Sequence, residues 1–112
     1  MIGQDLVNEL SKKTQALDNN INQLGKLARE YAQAYTDYRI AIAQELVKLK
    51  SEGYAITLAS DIARGRPEVA RLKFKEIETE ALYKACLERI NALKLEIKLI
   101  SNQIDKEWSR NE

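Results

Sequence analysis

Histidine is missing from all 112 residues, which removes the commonest general base and the commonest metal ligand. The single cysteine, Cys86, has no partner for a disulfide and fits a reducing compartment. One proline, four glycines and one phenylalanine beside 31% charged residues describe a solvated, helix-rich protein. No stretch approaches the ~18–20 apolar residues needed to span a bilayer, so no membrane association is expected. Met1-Ile2-Gly3-Gln4-Asp5 lacks the basic start and apolar core of a signal peptide. A cytoplasmic location is expected.

Charge of one sign is also missing. Eighteen basic residues face 17 acidic ones, for a net charge of +1, so the molecule as a whole exerts no strong pull on nucleic acid or anionic lipid. Residues 1–52 hold seven of each sign and residues 67–112 nine of each, so the excess belongs to the segment between them. No glycine-rich phosphate loop, cysteine-based metal spacing or Glu-x-x-His pair occurs. Glu76, Glu78 and Glu80 alternate around a helix instead of converging. No catalytic, cofactor-binding or metal-binding residues are expected, and the chain reads as a non-enzyme.

What is present is a long 3-4 spacing of apolar residues. Val7, Leu10, Thr14, Leu17, Ile21, Leu24, Ala28, Tyr31, Tyr35, Tyr38, Ile42, Glu45 and Leu49 follow it, and only Thr14 and Glu45 break the apolar series. That average of 3.5 residues stays on one face only when helices wind around each other. The weak stretch is Asp18–Gly25, where Asp and Asn compete for backbone hydrogen bonds and an interior Gly costs about 1 kcal/mol. A break there would give a three-helix bundle. The seam keeps phase through it, which favours one continuous helix over residues 5–52.

Gly53 ends that helix, and Pro67 with Glu68 opens a second over residues 67–109. Its seam is clear at Tyr83, Cys86, Ile90, Leu93, Ile97, Ile100 and Ile104, with Cys86 a buried structural thiol. Upstream, Glu76 and Thr79 occupy the register while Phe74, Ile77 and Ala81 mark another face, which reads as a stutter between 77 and 83. Antiparallel pairing sets Tyr31 opposite Glu88 and Ile42 opposite Ile77. The fold class is therefore all-α: an antiparallel two-helix coiled-coil hairpin with a structured connector at 53–66, one domain over 1–112, oligomerising into a helical bundle. Leu87, Leu95 and Leu99 beside the seam are the candidate oligomer face of a homo-oligomer, with a dimer favoured. The tyrosines of the seam, Tyr31, Tyr35 and Tyr38, read as core packing with hydroxyls at the rim, in preference to base stacking.

The connector is too long and too apolar for a plain turn. Tyr54, Ile56 and Leu58 alternate as in a short extended piece over 54–58, and Ser60 or Asp61 caps a helical turn ending at Gly65. Arg64, Arg66, Arg71, Lys73 and Lys75 come next, with only Glu68 opposing them locally. With Tyr54 they are the candidate contacts for phosphate or an acidic protein surface. Arg64-Gly65-Arg66-Pro67 matches the core of an AT-hook, although a solvated helix start explains the same residues.

The connector and the second helix also carry a resemblance. Glu52–Leu58, Asp61–Gly65, Val69–Phe74, Ala92–Ile100 and Lys106-Glu107-Trp108 resemble small proteins from the early, replication and recombination region of temperate phages and prophages of Gram-positive bacteria. The likeness covers about residues 45–108; residues 1–44 match only as coiled coil. It implies a host bacterial cytoplasm and an accessory role, and transfers no functional residue. The expected function is a non-enzymatic accessory protein that binds a phage or host protein in DNA metabolism or defence. The alternative is a nucleic-acid-binding accessory using the connector-proximal cations. A finger reaching into a polymerase channel, like the transcript-cleavage factors, would need paired acidic residues at its tip, where Asp61 stands alone.

Overall fold

A computed structural model describes residues 2–110 of the chain, so Met1, Asn111 and Glu112 of the domain expected over 1–112 lie outside the described residues. The described residues form three helices and no strand: α1, Ile2–Ser51; α2, Ile56–Gly65; and α3, Pro67–Arg110. α1 passes through Asn19–Gly25 without a break. The competing polar side chains are satisfied inside the helix: the Asn20 amide donates to the Ala16 carbonyl at 2.8 Å, and Gln15 donates to Asn19 at 3.5 Å.

α1 ends in a Schellman motif. The Tyr54 N–H donates to the Leu49 carbonyl and the Gly53 N–H to the Lys50 carbonyl, with Gly53 at φ 96°, a backbone region that glycine enters without steric cost. The expected extended piece at 54–58 does not form, because α2 already begins at Ile56. Tyr54, Ile56 and Leu58, whose alternation suggested a strand, are exposed. The decisive spacing is instead that of Ala59, Ile62 and Ala63, which lie on one helical face. Ala59 and Ala63 are fully buried with Leu49, and Ile42, Leu46 and Ile62 pack around them. Two alanines one turn apart let α2 come close to the end of α1. Neither Ser60 nor Asp61 caps α2; Ala55 holds that position with no side-chain bond, its carbonyl accepting from the Ala59 N–H at 2.8 Å.

Pro67 separates α2 from α3. A residue before proline is pushed out of the helical region, and Arg66 is extended, at φ −65° and ψ 131°. Its carbonyl then accepts the Ala70 N–H at 2.9 Å, as the residue before a first helical position should.

The helices make two compact units, one from the described parts of Met1–Lys26 and Lys84–Glu112, the other Leu27–Tyr83. In the first, Lys13 reaches Glu96 at 3.2 Å and the Cys86 thiol donates to the Asn20 carbonyl at 3.4 Å, so α1 and α3 run antiparallel. Cys86, Ile90 and Leu93 are buried, as their spacing predicts. On α1 the seam uses Leu6, Leu10, Lys13, Leu17, Asn20 and Leu24, while Val7, Thr14 and Ile21 are exposed. Alternate positions thus sit one residue earlier than the apolar pattern suggests. At Lys13 a half-buried side chain carries its charge across to Glu96, as a snorkelling lysine does.

In the second unit Tyr31 donates to Glu80 Oε2 at 2.8 Å and stacks obliquely on Tyr83, with ring centroids 6.1 Å apart. The expected pairing of Tyr31 with Glu88 is therefore off by two turns, and Ile77, expected opposite Ile42, is exposed. Leu46 and Leu49 of α1 cover α2, and Arg66 at the start of α3 meets Glu45. Each α1 residue accordingly meets an α3 residue nearer the connector. Ala34, not Tyr35, is buried.

The expected stutter in α3 is likewise absent. Val69, Leu72, Glu76, Thr79 and Tyr83 keep an unbroken 3-4 register, with Glu76 and Thr79 buried and Phe74 and Ile77 exposed. The two polar residues are tolerated because they are satisfied: Thr79 Oγ1 donates to the Lys75 and Glu76 carbonyls of its own helix, and Lys73 reaches Glu76 at 3.2 Å.

Three contacts of this fold have measurable consequences. Gly53→Ala should destabilise the protein by about 1 kcal/mol, because alanine is strained at positive φ. Gly65→Ala, at ordinary φ with open space around its Cβ, should stabilise it by about 0.5 kcal/mol; urea unfolding of both reads the opposite signs. Leu49→Ala removes the largest fully buried side chain of the α2 contact and should cost about 3 kcal/mol, with hydrogen exchange rising in α2 before the rest of the unit. The Tyr31 phenol titrates above its ordinary 10.0, first because it donates to Glu80, then through partial burial and the nearby charges of Glu80 and Glu76. The stability from that bond is fully present below the unfolded-state pKa and is lost as pH rises through the folded one. Tyr31→Phe should therefore unfold more easily than wild type at neutral pH, and the gap should close in strong alkali.

Candidate interaction surfaces

The cations near the connector all lie on Leu27–Tyr83, and each is paired with a carboxylate. Arg64 meets Asp61 at 3.5 Å, Arg66 Nε meets Glu45 at 2.9 Å, Lys73 meets Glu76 at 3.2 Å and Lys75 meets Glu78 at 3.2 Å. Arg71 holds Glu68 through two bonds, at 2.7 and 3.1 Å. These bonds, with the opposite charge each partner presents to the other, lower the Glu68 pKa and raise that of Arg71. Five cations thus face five anions within bonding range, and the patch carries little net field. Four of the pairs join residues three apart on one helix, and in three of those both partners are exposed, so those three are worth little.

The Arg66–Glu45 pair differs, because it joins the start of α3 to α1 across 21 residues of sequence. Glu45 is the position that broke the apolar series of the first seam, and it is there to meet this arginine. That polar residue in an otherwise apolar register was the available signal. Lys73 also sits over the Tyr38 ring, 4.8 Å from its centroid, a cation–π contact that ties it to the helix pair. Of the six expected contacts, Tyr54 is 41% exposed, and Arg64, Arg71 and Lys75 are exposed and bond exposed carboxylates of their own helices.

The apolar surface is the more distinctive feature. Phe74, Ile77 and Val47 are among the most exposed large side chains of the second unit. In the first unit Leu95 and Leu99 are exposed one turn apart, 58% and 59%, whereas Leu87 is half-buried. The expected trio is therefore split, with Leu95 and Leu99 sharing an outward face and Leu87 serving the flank of the seam. Tyr31, Tyr35 and Tyr83 with Ala28, Ala32 and Thr36 line an open groove of about 420 Å³. It exists because the alanines leave space beside the tyrosine rings.

Among the described residues no group of three His, Cys, Asp or Glu side chains is placed to hold a metal ion, and no helix is long and apolar enough to cross a membrane. Comparison of the chain with protein-family models, with curated proteins and with solved structures finds no match.

Proposed function

We propose that this is a non-enzymatic interaction protein, working as a homo-oligomer that also engages another protein through its outward helical faces. The observation that carries this reading is the exposure of Leu95 and Leu99 in the first unit and of Phe74 and Ile77 in the second. Apolar residues placed at helical spacing away from the seam do nothing for the fold of the single chain and are suited to covering by a partner. The resemblance around the connector supports a phage or prophage accessory role in the host bacterial cytoplasm, directed at a protein of DNA metabolism or defence. The nucleic-acid reading weakens because the five cations of the connector patch face five carboxylates, which leaves little net positive field to draw phosphate.

Affinity capture from phage-infected host cells, comparing wild type with Leu95→Glu, tests the reading. Wild type should retain a defined protein and Leu95→Glu should lose it at least about tenfold, with circular dichroism unchanged. Equal capture by both would remove Leu95 from the surface. Binding of duplex DNA that falls steeply with salt would replace the protein reading by the nucleic-acid one.

A further inference from the structure

On Leu27–Tyr83, α3 carries a second stripe on the side away from α1. Ala70, Phe74, Ile77 and Ala81 are spaced four, three and four apart, all exposed, with Phe74 at 67% and Ile77 at 58%. This is the spacing of a coiled-coil seam. Lys73 and Glu80 flank it on one side, Arg71 and Glu78 on the other, so on both flanks the cation precedes the midpoint between Phe74 and Ile77 and the anion follows it.

A two-fold axis through that midpoint would lay a second α3 antiparallel on the first, Phe74 against Ile77 and Ala70 against Ala81. The flanking positions that meet in such a pair are Lys73 with Glu80 and Arg71 with Glu78, each twice. We infer that this face of α3 is a self-pairing surface, occupied by the same face of a second copy of the chain with four opposite-charge contacts at its rim. Such a contact is isologous, as a two-fold dimer requires.

The other outward stripes lack this complementarity. Ile40, Ala43 and Val47 of α1 are flanked by Arg39 and Leu46 on one side and by Asp37 and Gln44 on the other, with no sign reversal about their midpoint. Antiparallel self-pairing through Leu95 and Leu99 would bring Lys98 against Lys98 and Glu96 against Glu96 of the second copy, which is repulsive. Charge therefore assigns the second copy to residues 70–81 and leaves Leu95 and Leu99 for a different protein. Arg71 and Glu78 now hold Glu68 and Lys75, exposed pairs that exchange at little cost. Lys73 and Glu80 also serve Glu76 and Tyr31, so Arg71 and Glu78 are the positions to reverse without disturbing the buried layer. A contact only about 18 Å long belongs to the small, reversible class of interfaces.

The inference rests on the homo-oligomer reading above, and sedimentation of the full chain over a wide concentration series separates the two. Wild type should dimerise reversibly and more weakly at high salt. Arg71→Glu and Glu78→Lys, each helical by circular dichroism, should separately raise the dissociation constant about tenfold or more, and an equimolar mixture of the two should recover wild-type association. Phe74→Ser should weaken the dimer as well. Undiminished association in all three variants overturns the α3 surface; if Leu95→Glu then abolishes the dimer, the homo-oligomer reading stands with its face elsewhere. A wild-type monomer at every concentration overturns both.

Discussion

A helix can offer its neighbour only one stripe of side chains, and in α3 that stripe is occupied by Val69, Leu72, Glu76, Thr79 and Tyr83 in strict register. The rest of the Leu27–Tyr83 unit depends on this constraint. With Glu76 and Thr79 inside, their polar atoms must be satisfied locally, and they are, by Lys73 and by carbonyls of α3 itself. With Phe74 and Ile77 outside, the helix carries a second apolar stripe that the single chain does not cover. A half-turn rotation of α3 would bury the phenylalanine, but it would also expose Val69 and take Tyr83 from Tyr31.

The same register brings the second polar contact of the unit into place. Tyr31 spans the helix pair through its ring against Tyr83 and its hydroxyl on Glu80. An apolar body and a polar tip let one side chain fill the seam and satisfy the carboxylate at its rim. Arg66 and Glu45 fix the end of the pair next to the connector. These are contacts between specific partners, unlike the interchangeable apolar packing around them, and they hold the pairing to one alignment.

The connector helix has a different basis. α2 is held by the fit of Ala59 and Ala63 against Leu49, and its two ends are set by Gly53 and Pro67, one supplying positive φ and the other forbidding helix at Arg66. Two alanines and one leucine can centre this contact because the close approach excludes water from all three, while Ile42, Leu46 and Ile62 close around them.

The sequence by itself determined the class of structure and most of its boundaries. The 3-4 spacing required long paired helices, Gly53 and Pro67 marked where they stop and start, and Tyr83 to Ile104 lay on the seam as their spacing demands, because local propensity and periodicity act within a few residues. Tertiary structure alone decided which of two competing stripes was buried. Phe74, Ile77 and Ala81 are as helically spaced as Glu76, Thr79 and Tyr83, and composition favours the first set. Only the alignment with α1, fixed by Glu45, Tyr31 and the space taken by α2, selected the second. It also decided the electrostatics: five cations that sit together in sequence meet carboxylates, one of them 21 residues away, because charges pair through space and not along the chain.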